Sequence, residues 1–324
     1  MIKRRGVLGL ALLVGLGAAA PLAMAQNYPD RLIRMIVPAP PGGQTDVLAR
    51  YVGQHLQASL GQNIVVENRP GAGGGLGARS AAMSDPDGHT LFFGNTSTLA
   101  VIPAVARNPG YDPVKNFATV ASVSESYMIL VVHPAFPAAT VQEFIAYAQA
   151  NPGRLNFAHA GAGNVTHLTG EMFRTSARIN FVNVPHKGGA ESVTSVLGQQ
   201  VDFALESPVI LLPLIKEGKL RALAVTSSTR KPELADIPTM KEGGADFVAT
   251  LLTGVVAPAG TPAPIVSRLN ILINASLNSP EMKATLVRFG SEPKIGTPGE
   301  FAAFLAAETR KWAAAAKMGN VVVD

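Results

Sequence analysis

Short apolar runs alternate with segments of helical periodicity over most of this 324-residue chain. Residues 63–67, 90–94 and 201–205 are apolar runs of strand length, and residues 141–150 carry apolar side chains at helical spacing. The tail, residues 262–319, contains three further helical segments. Strands that alternate with helices in this way predict an α/β protein with mainly parallel sheets.

Two extended stretches without an intervening helix indicate where the chain passes between two lobes. Residues 122–131 would carry it from the first lobe to the second, and residues 247–256 would bring it back. The first lobe would then be discontinuous, with residues 26–127 plus 248–324, and the second lobe would comprise residues 128–247. Two α/β lobes joined in this way leave a cleft, and small molecules often bind in such clefts.

The first 25 residues have the pattern of a cleavable export signal. A basic start, Lys3-Arg4-Arg5, precedes an apolar stretch at residues 6–20, and Ala23-Met24-Ala25 fits the small-residue cleavage rule. The apolar stretch is short for a membrane span, and a retained anchor is the alternative. The sequence therefore predicts a leader, residues 1–25, that is removed during export to the periplasm. Whether export uses the general or the twin-arginine route stays open.

Charge and cysteine content exclude several classes of function. The leader holds three of the 27 Lys and Arg residues and no acid, so the remaining chain has 24 basic against 22 acidic side chains. Because no basic tract is interleaved with aromatic residues, binding to nucleic acid is not expected. The chain has no cysteine, which excludes disulfides, thiolate catalysis and thiolate metal sites.

The first strand and the first helix enclose a candidate anion site. An apolar run ends at Val37, and helical spacing begins near Gln44, with Thr45 or Asp46 expected as the N-cap. The turn between them closes with Gly42-Gly43, where the backbone can turn its amides inward and a ligand can come close. Free amides at a helix start hold an anion such as a carboxylate. The alternative is a stiff connection that binds nothing.

Seven motifs in register extend over essentially the whole chain after the leader. Among them are Pro38-Ala39-Pro40-Pro41-Gly42-Gly43-Gln44-Thr45-Asp46, Glu67-Asn68-Arg69-Pro70-Gly71, Pro86-Asp87-Gly88, Gly161-Ala162-Gly163-Asn164-Val165-Thr166-His167-Leu168 and Pro185-His186-Lys187-Gly188-Gly189. In order and spacing the chain resembles the Bug family, the periplasmic receptors of tripartite tricarboxylate transporters. The resemblance implies a type II periplasmic binding protein fold, with two α/β lobes and a ligand cleft between them. It also implies a monomer that delivers a small carboxylate to membrane permease subunits.

The resemblance implies a set of ligand contacts. In the family, one ligand carboxylate lies between the first strand–helix loop and a loop of the second lobe. Glu206, after the strand at residues 201–205, stands where relatives often carry an acid that faces the far end of the ligand. An acid there would favour a ligand hydroxyl or ammonium and repel a second carboxylate. The implied contacts are Gly42, Gly43, Thr45, Asp46, Asn95, Thr96, Ser97, His159, Gly161, Gly163, Asn164, His167 and Glu206.

The chain departs from the family pattern at two of these contacts and at several other places. Relatives commonly have Phe at the position of Ala39, Ser at those of His159 and Asn164, and Tyr at that of His186. An aromatic residue is usual near residues 251–252, where this chain has two leucines. The anchor for one carboxylate is retained, while the groups that contact the rest of the ligand differ. The ligand of a relative therefore does not transfer to this chain.

Other chemistries have weaker support. Gly73-Gly74-Gly75-Leu76-Gly77-Ala78 fits a dinucleotide fingerprint, but the stretch is glycine-dense and no acid follows near Asn95 for a ribose. The histidines offer little for a metal site, so neither a metal nor a cofactor is expected. His167 suits a structural role, and His159 either a ligand contact or a turn. The motifs of hydrolases and metalloproteases are absent. We expect a receptor and not an enzyme; a signalling receptor's ligand-sensing partner and an exported enzyme are the alternatives.

Overall fold

The computed structural model describes residues 28–319 and 321–322 of the chain. The predicted leader, residues 1–25, lies outside the described residues. Within those ranges, no helix has both the length and the apolar character that crossing a membrane requires. The described chain folds into two β-sheets with helices on their faces, which confirms the predicted α/β class.

The first sheet has six strands, in the order β11-β4-β10-β3-β1-β2. Strand β1 lies between β2 and β3 and pairs with both in parallel, whereas β10 and β11 pair antiparallel with their neighbours. The strands are β1 (Ile33–Val37), β2 (Ile64–Asn68), β3 (Thr90–Asn95), β4 (Phe117–Tyr127), β10 (Thr250–Pro258) and β11 (Ser291–Pro293).

The second sheet has five strands, in the order β7-β6-β8-β5-β9. Strand β6 pairs in parallel with β7 and β8, and β5 pairs antiparallel with β8 and β9. The strands are β5 (Ile129–Val132), β6 (Leu155–His159), β7 (Phe181–Pro185), β8 (Phe203–Glu206) and β9 (Arg221–Val225).

Ten α-helices connect and cover these strands in the described part of the chain. Short 3₁₀ turns at Ala72–Gly74 and Pro232–Leu234 and a π-helical turn at Ser97–Val101 accompany them. The helices are α1 (Gln44–Leu60), α2 (Gly75–Ala82), α3 (Ile102–Val105), α4 (Val141–Ala150), α5 (Val165–Ala177), α6 (Gly189–Leu197), α7 (Pro208–Lys216), α8 (Ala263–Asn278), α9 (Pro280–Arg288) and α10 (Pro298–Met318).

The expectation of mainly parallel sheets is wrong, because both sheets are mixed. The chain leaves the first sheet at the end of β4 and enters the second as β5, with Met128 alone between the two strands. It returns later as β10. A strand that enters a sheet without a crossover helix is free to pair antiparallel with its neighbours. The strands at the two passages are therefore the antiparallel ones.

The two passages between the sheets lie side by side and share hydrogen bonds through one threonine. The amide of Met128 donates to Thr226 Oγ1 (2.9 Å), and the Thr226 hydroxyl donates to the carbonyl of Ala249 (2.6 Å). Thr226 is completely buried. The structure thus joins the outgoing and returning segments directly. The predicted lobe boundaries at residues 127/128 and 247/248 stay a prediction.

The last helix, α10, contributes to the hydrophobic cores on both sides of the molecule. Phe301 and Leu305 pack with Phe92 of the first sheet, and Trp312 belongs to the cluster that contains Phe203 of the second sheet. All five of these side chains are buried. Their packing makes the apolar face of this helix part of both cores.

We predict that Gly170→Ala destabilises the protein. A Cβ at residue 170 of α5 would overlap the buried ring of Phe157 in β6. Overpacking of this kind costs about 1–3 kcal/mol and should lower the thermal midpoint by a few degrees. Gly299→Ala is the matched control, because a Cβ there has no heavy atom within 4 Å. Differential scanning calorimetry of both variants tests this; equal midpoints would contradict the close packing of α5 on β6.

Candidate functional site

A cleft of about 680 Å³ lies between the two sheets, where the carboxyl ends of β1, β3, β6, β7 and β8 meet. Ligands of open α/β folds bind at such strand ends. The lining residues come from the ends of these strands and the segments that follow them, from the segment after β2 and from β10. Those that carry polar or charged side chains are Gln44, Thr45, Asn95, Thr96, Ser97, Asn164, Thr166, His186, Lys187, Glu206, Ser207 and Thr253.

The wall on the first-sheet side is built on the start of α1. The amide of Val47 donates to the carbonyl of Gly43 (3.0 Å) and begins the helical ladder, so the amides before it have no ladder partner. Thr45 lines the cleft, and its Oγ1 accepts a hydrogen bond from Asn95 Nδ2 (3.1 Å). The Thr45 hydroxyl hydrogen is then available to a ligand. The arrangement offers several donors and the positive end of a helix dipole to one anion.

The side chains of Thr96 and Ser97 form hydrogen bonds that link neighbouring segments of the cleft wall. Thr96 Oγ1 accepts from the amide of Leu252 in β10 (2.7 Å). Ser97 Oγ accepts from the amide of Val165, the first residue of α5 (3.0 Å). Because Ser97 follows β3 of the first sheet and α5 packs on the second, this bond joins the two walls directly.

The wall on the second-sheet side is the loop between β6 and α5. Asn164 caps α5, with its Oδ1 accepting from the amide of Thr166 (3.0 Å). Thr166 Oγ1 in turn accepts from the amide of Ala160 (2.9 Å). Gly161 has φ = 110°, a backbone conformation that a side chain would strain. The loop is therefore held in one shape by its own polar groups.

Glu206 lies at the end of β8, lines the cleft and is only 4% exposed. Its Oε2 accepts a long hydrogen bond from the amide of Ser207 (3.4 Å), and its Oε1 has no hydrogen-bond partner within residues 28–319 and 321–322. Burial raises the pKa of Glu206 to about 7. The absence of a side chain at Gly189 makes room for the carboxyl group, since a Cβ there would lie 2.5 Å from Oε2.

Eight of the thirteen predicted contacts line the cleft, and Gly42, Gly163, Asp46, His159 and His167 do not. Asp46 faces away from it: its carboxylate accepts from the amide of Gly42 (2.9 Å) and pairs with Arg50 (2.9 Å). The predicted N-cap at Thr45 or Asp46 is wrong, because the cap is Gly43. The Gly42 amide is occupied by this carboxylate and is not available to a ligand.

The two predicted histidines lie behind the second wall. His159 is buried, and its ring stacks on that of His167 with 4.5 Å between centroids. Burial, with the nearby His167, lowers the pKa of His159 to about 4, so the ring is neutral at neutral pH. Neither ring is placed to attract an anion by its own charge.

The predicted contacts did not include the loop after β7, although its motif was visible in the sequence. His186, Lys187, Gly188 and Gly189 all line the cleft. His186 is fixed, with Nδ1 donating to the carbonyl of Val184 (3.0 Å) and Nε2 accepting from Ser195 Oγ (2.8 Å). The signal that could have found this loop is a strand followed by two glycines and a helix, the same pattern as at α1.

A second depression, of about 500 Å³, lies at the amino-terminal ends of β1 and β3. Two of its charged side chains, Arg31 and Asp87, pair with each other at 2.5 Å, and Arg34 lies 3.9 Å from Glu67. It presents no row of free helix amides. Within the described chain, no group of three His, Asp or Glu side chains is arranged to hold a metal ion.

Comparison with known proteins identifies the family of this chain. Residues 48–320 match the family described as "Tripartite tricarboxylate transporter family receptor", TctC. The chain is 38% identical to protein BugT of Bordetella pertussis over 317 residues, which are 97% of this chain and 96% of BugT.

Two solved structures are similar over most of their length and carry carboxylates. R. palustris Rpa4515, solved with adipate, is 32% identical with a TM-score of 0.88, and the match covers 91% of this chain and 99% of that one. MatC from Rhodopseudomonas palustris, with bound malate, is 32% identical with a TM-score of 0.84, covering 89% and 99%. These matches confirm the resemblance to the Bug receptors and the two-lobed fold of a periplasmic binding protein. The chain belongs to the TctC family of tripartite tricarboxylate transporter receptors.

Proposed function

We propose that the protein is a periplasmic receptor that binds a small carboxylate in the cleft and delivers it to a tripartite tricarboxylate-type membrane transporter. The observation that carries the proposal is the start of α1, where Gly43, Gln44 and Thr45 line the cleft and precede the first amide of the helical ladder, that of Val47. The adipate and malate in the two related structures support a carboxylate as the ligand. Export would remove residues 1–25, and the mature receptor would act as a monomer.

The carboxylate would bind between the start of α1 and the loop at Gly161 and Asn164. Thr45 would donate its hydroxyl hydrogen, because Asn95 already occupies the oxygen as a donor. Asn95 thus orients Thr45. On the opposite wall, Asn164 caps α5, and Ser97 bonds the first amide of that helix. Lobes formed by residues 26–127 plus 248–324 and by residues 128–247 would close over the ligand by a hinge motion at the passages beside Thr226.

Glu206 would contact the other end of the ligand. It is the one acid that lines the cleft among the described residues, and its Oε1 has no protein partner there. A ligand that brings a hydroxyl or an ammonium would supply the missing donor. A second ligand carboxylate would be disfavoured once Glu206 is ionised. The ligand is therefore a hydroxy- or amino-carboxylate.

Two other roles would use the same cleft. A ligand-sensing partner of a signalling receptor would bind the same carboxylate but pass the closed form to a sensor instead of a permease. An exported enzyme would convert the carboxylate, so unchanged ligand recovered from the protein after prolonged incubation would argue against it. Co-purification of tagged, ligand-loaded protein from membranes distinguishes permease from sensor by the partner that is captured.

We predict that Thr45→Val weakens binding of carboxylates about tenfold or more, because a hydrogen bond from a neutral donor to a charged group is lost. Thr45→Ser is the matched control and should bind within about threefold of the wild type, since it keeps the hydroxyl. A thermal-shift screen of adipate, malate and hydroxy- and amino-carboxylates selects the probe, and calorimetry measures its affinity. Unchanged affinity in Thr45→Val would rule out the α1 anchor.

We predict that Glu206→Gln changes selectivity and not only affinity. Amino-carboxylates should lose about tenfold or more in affinity, because the buried acid no longer pairs with the ammonium. Dicarboxylates should bind the variant at least as well as the wild type, because the repulsion is removed. Isothermal titration with matched four-carbon ligands of each kind tests this at pH 8. If dicarboxylates lose most, Glu206 does not contact a donor of the ligand.

Glu206 also predicts a pH dependence of stability. Its pKa is about 7 in the folded protein, against a usual value of about 4.5. The folded state therefore binds this proton more tightly, and the free energy of unfolding falls as pH rises from about 4.5 to 7. Relative to Glu206→Gln, the wild type should lose up to about 3 kcal/mol across this window. Urea unfolding of ligand-free protein at both pH values measures the difference; parallel profiles would contradict a neutral Glu206.

A further inference from the structure

Behind the second wall of the cleft, two stacked histidine rings hold the loop that carries Gly161 and Asn164. His159 precedes this loop at the end of β6, and His167 follows it in the first turns of α5. Their rings are 4.5 Å apart and inclined by 20°. Each ring forms one hydrogen bond with the loop backbone, His159 with the carbonyl of Gly161 (3.0 Å) and His167 with the amide of Gly163 (3.3 Å).

The loop backbone determines which nitrogen of each ring carries the proton. A carbonyl only accepts, so His159 Nδ1 is protonated; an amide only donates, so His167 Nδ1 is bare and its proton is on Nε2. Asn183 Nδ2 lies 3.3 Å from His167 Nε2 and donates to Glu171 Oε1 (2.8 Å). His167 Nε2 also lies 3.9 Å from that carboxylate, which attracts its proton.

We propose that His167 is a positioning residue for carboxylate binding: its bare Nδ1 fixes the Gly163 amide and thereby the shape of the loop that faces the ligand. The inference rests on the proposed function. Gly161 and Asn164 line the cleft while the histidines do not, so His167 acts through the loop and not by contact. His159 supports it by stacking on its ring and by holding the Gly161 carbonyl.

Asparagine and glutamine substitutions separate this role from general packing. The Oδ1 of Asn stands near the position of histidine Nδ1, whereas the side-chain amide of Gln reaches the position of Nε2. His167→Asn should therefore keep the acceptor for the Gly163 amide, and His167→Gln should lose it. We expect His167→Gln to bind the carboxylate selected in the thermal-shift screen about tenfold more weakly than the wild type. His167→Asn should remain within about threefold.

Hydrogen exchange gives a readout that packing alone would not produce. The Gly163 amide should exchange at least tenfold faster in His167→Gln than in His167→Asn, with similar midpoints of thermal unfolding for the two variants. Equal affinities in the two variants would overturn the proposal. If the wild type binds no carboxylate but the exchange rates differ as expected, the proposed function fails and the loop geometry stands.

The tautomer can be measured without any variant. Nitrogen-15 spectra of histidine-labelled wild-type protein at neutral pH distinguish a bare Nδ1 from a protonated one. We expect His167 to be the Nε2–H form and His159 the Nδ1–H form. A protonated Nδ1 on His167 would overturn the proposal even if neither variant folds.

Discussion

The ligand preference of the cleft depends on backbone amides that have no helical hydrogen-bond partner where a strand ends and a helix begins. Helices α1, α5 and α6 begin next to the cleft, after β1, β6 and β7, and the amides in a first helical turn have no ladder partner. The protein satisfies some of these donors itself, as Asn164 does for the amide of Thr166, and Asp46 also occupies the Gly42 amide just before α1. The amides that remain without a partner, together with the Thr45 hydroxyl, determine which class of ligand binds in the cleft.

The polar residues of the site fall into two groups with different tasks. Thr45 and Glu206 line the cleft and each has hydrogen-bonding capacity that the protein leaves unused. Asp46, Asn95 and His167 are occupied by protein partners and orient the residues that do the binding. Placement of a donor to a fraction of an ångström requires such support.

Much of the fold could be predicted from periodicity, because apolar runs and helical spacing report burial residue by residue. Sheet direction could not, since it depends on where the chain passes between sheets. The motifs located both walls of the cleft but not the side on which each side chain lies. Asp46 neighbours Thr45 in sequence yet turns toward Arg50, and His159 turns inward to stack on His167. The motif at His186 was visible, but the loop was not among the predicted contacts, although His186 and Lys187 line the cleft.

Helix α10 has a mechanical consequence. It runs for 21 residues, a rod of about 31 Å, with Phe301 anchored in one core and Trp312 in the other. Opening the cleft further must either bend this helix or move one of the two buried rings through a close-packed core. Such cores have low compressibility and resist the change. The helix thus restrains movement of the two cores relative to each other. Helix α10 therefore limits how far the cleft can open, and with it the size of the largest molecule that can enter.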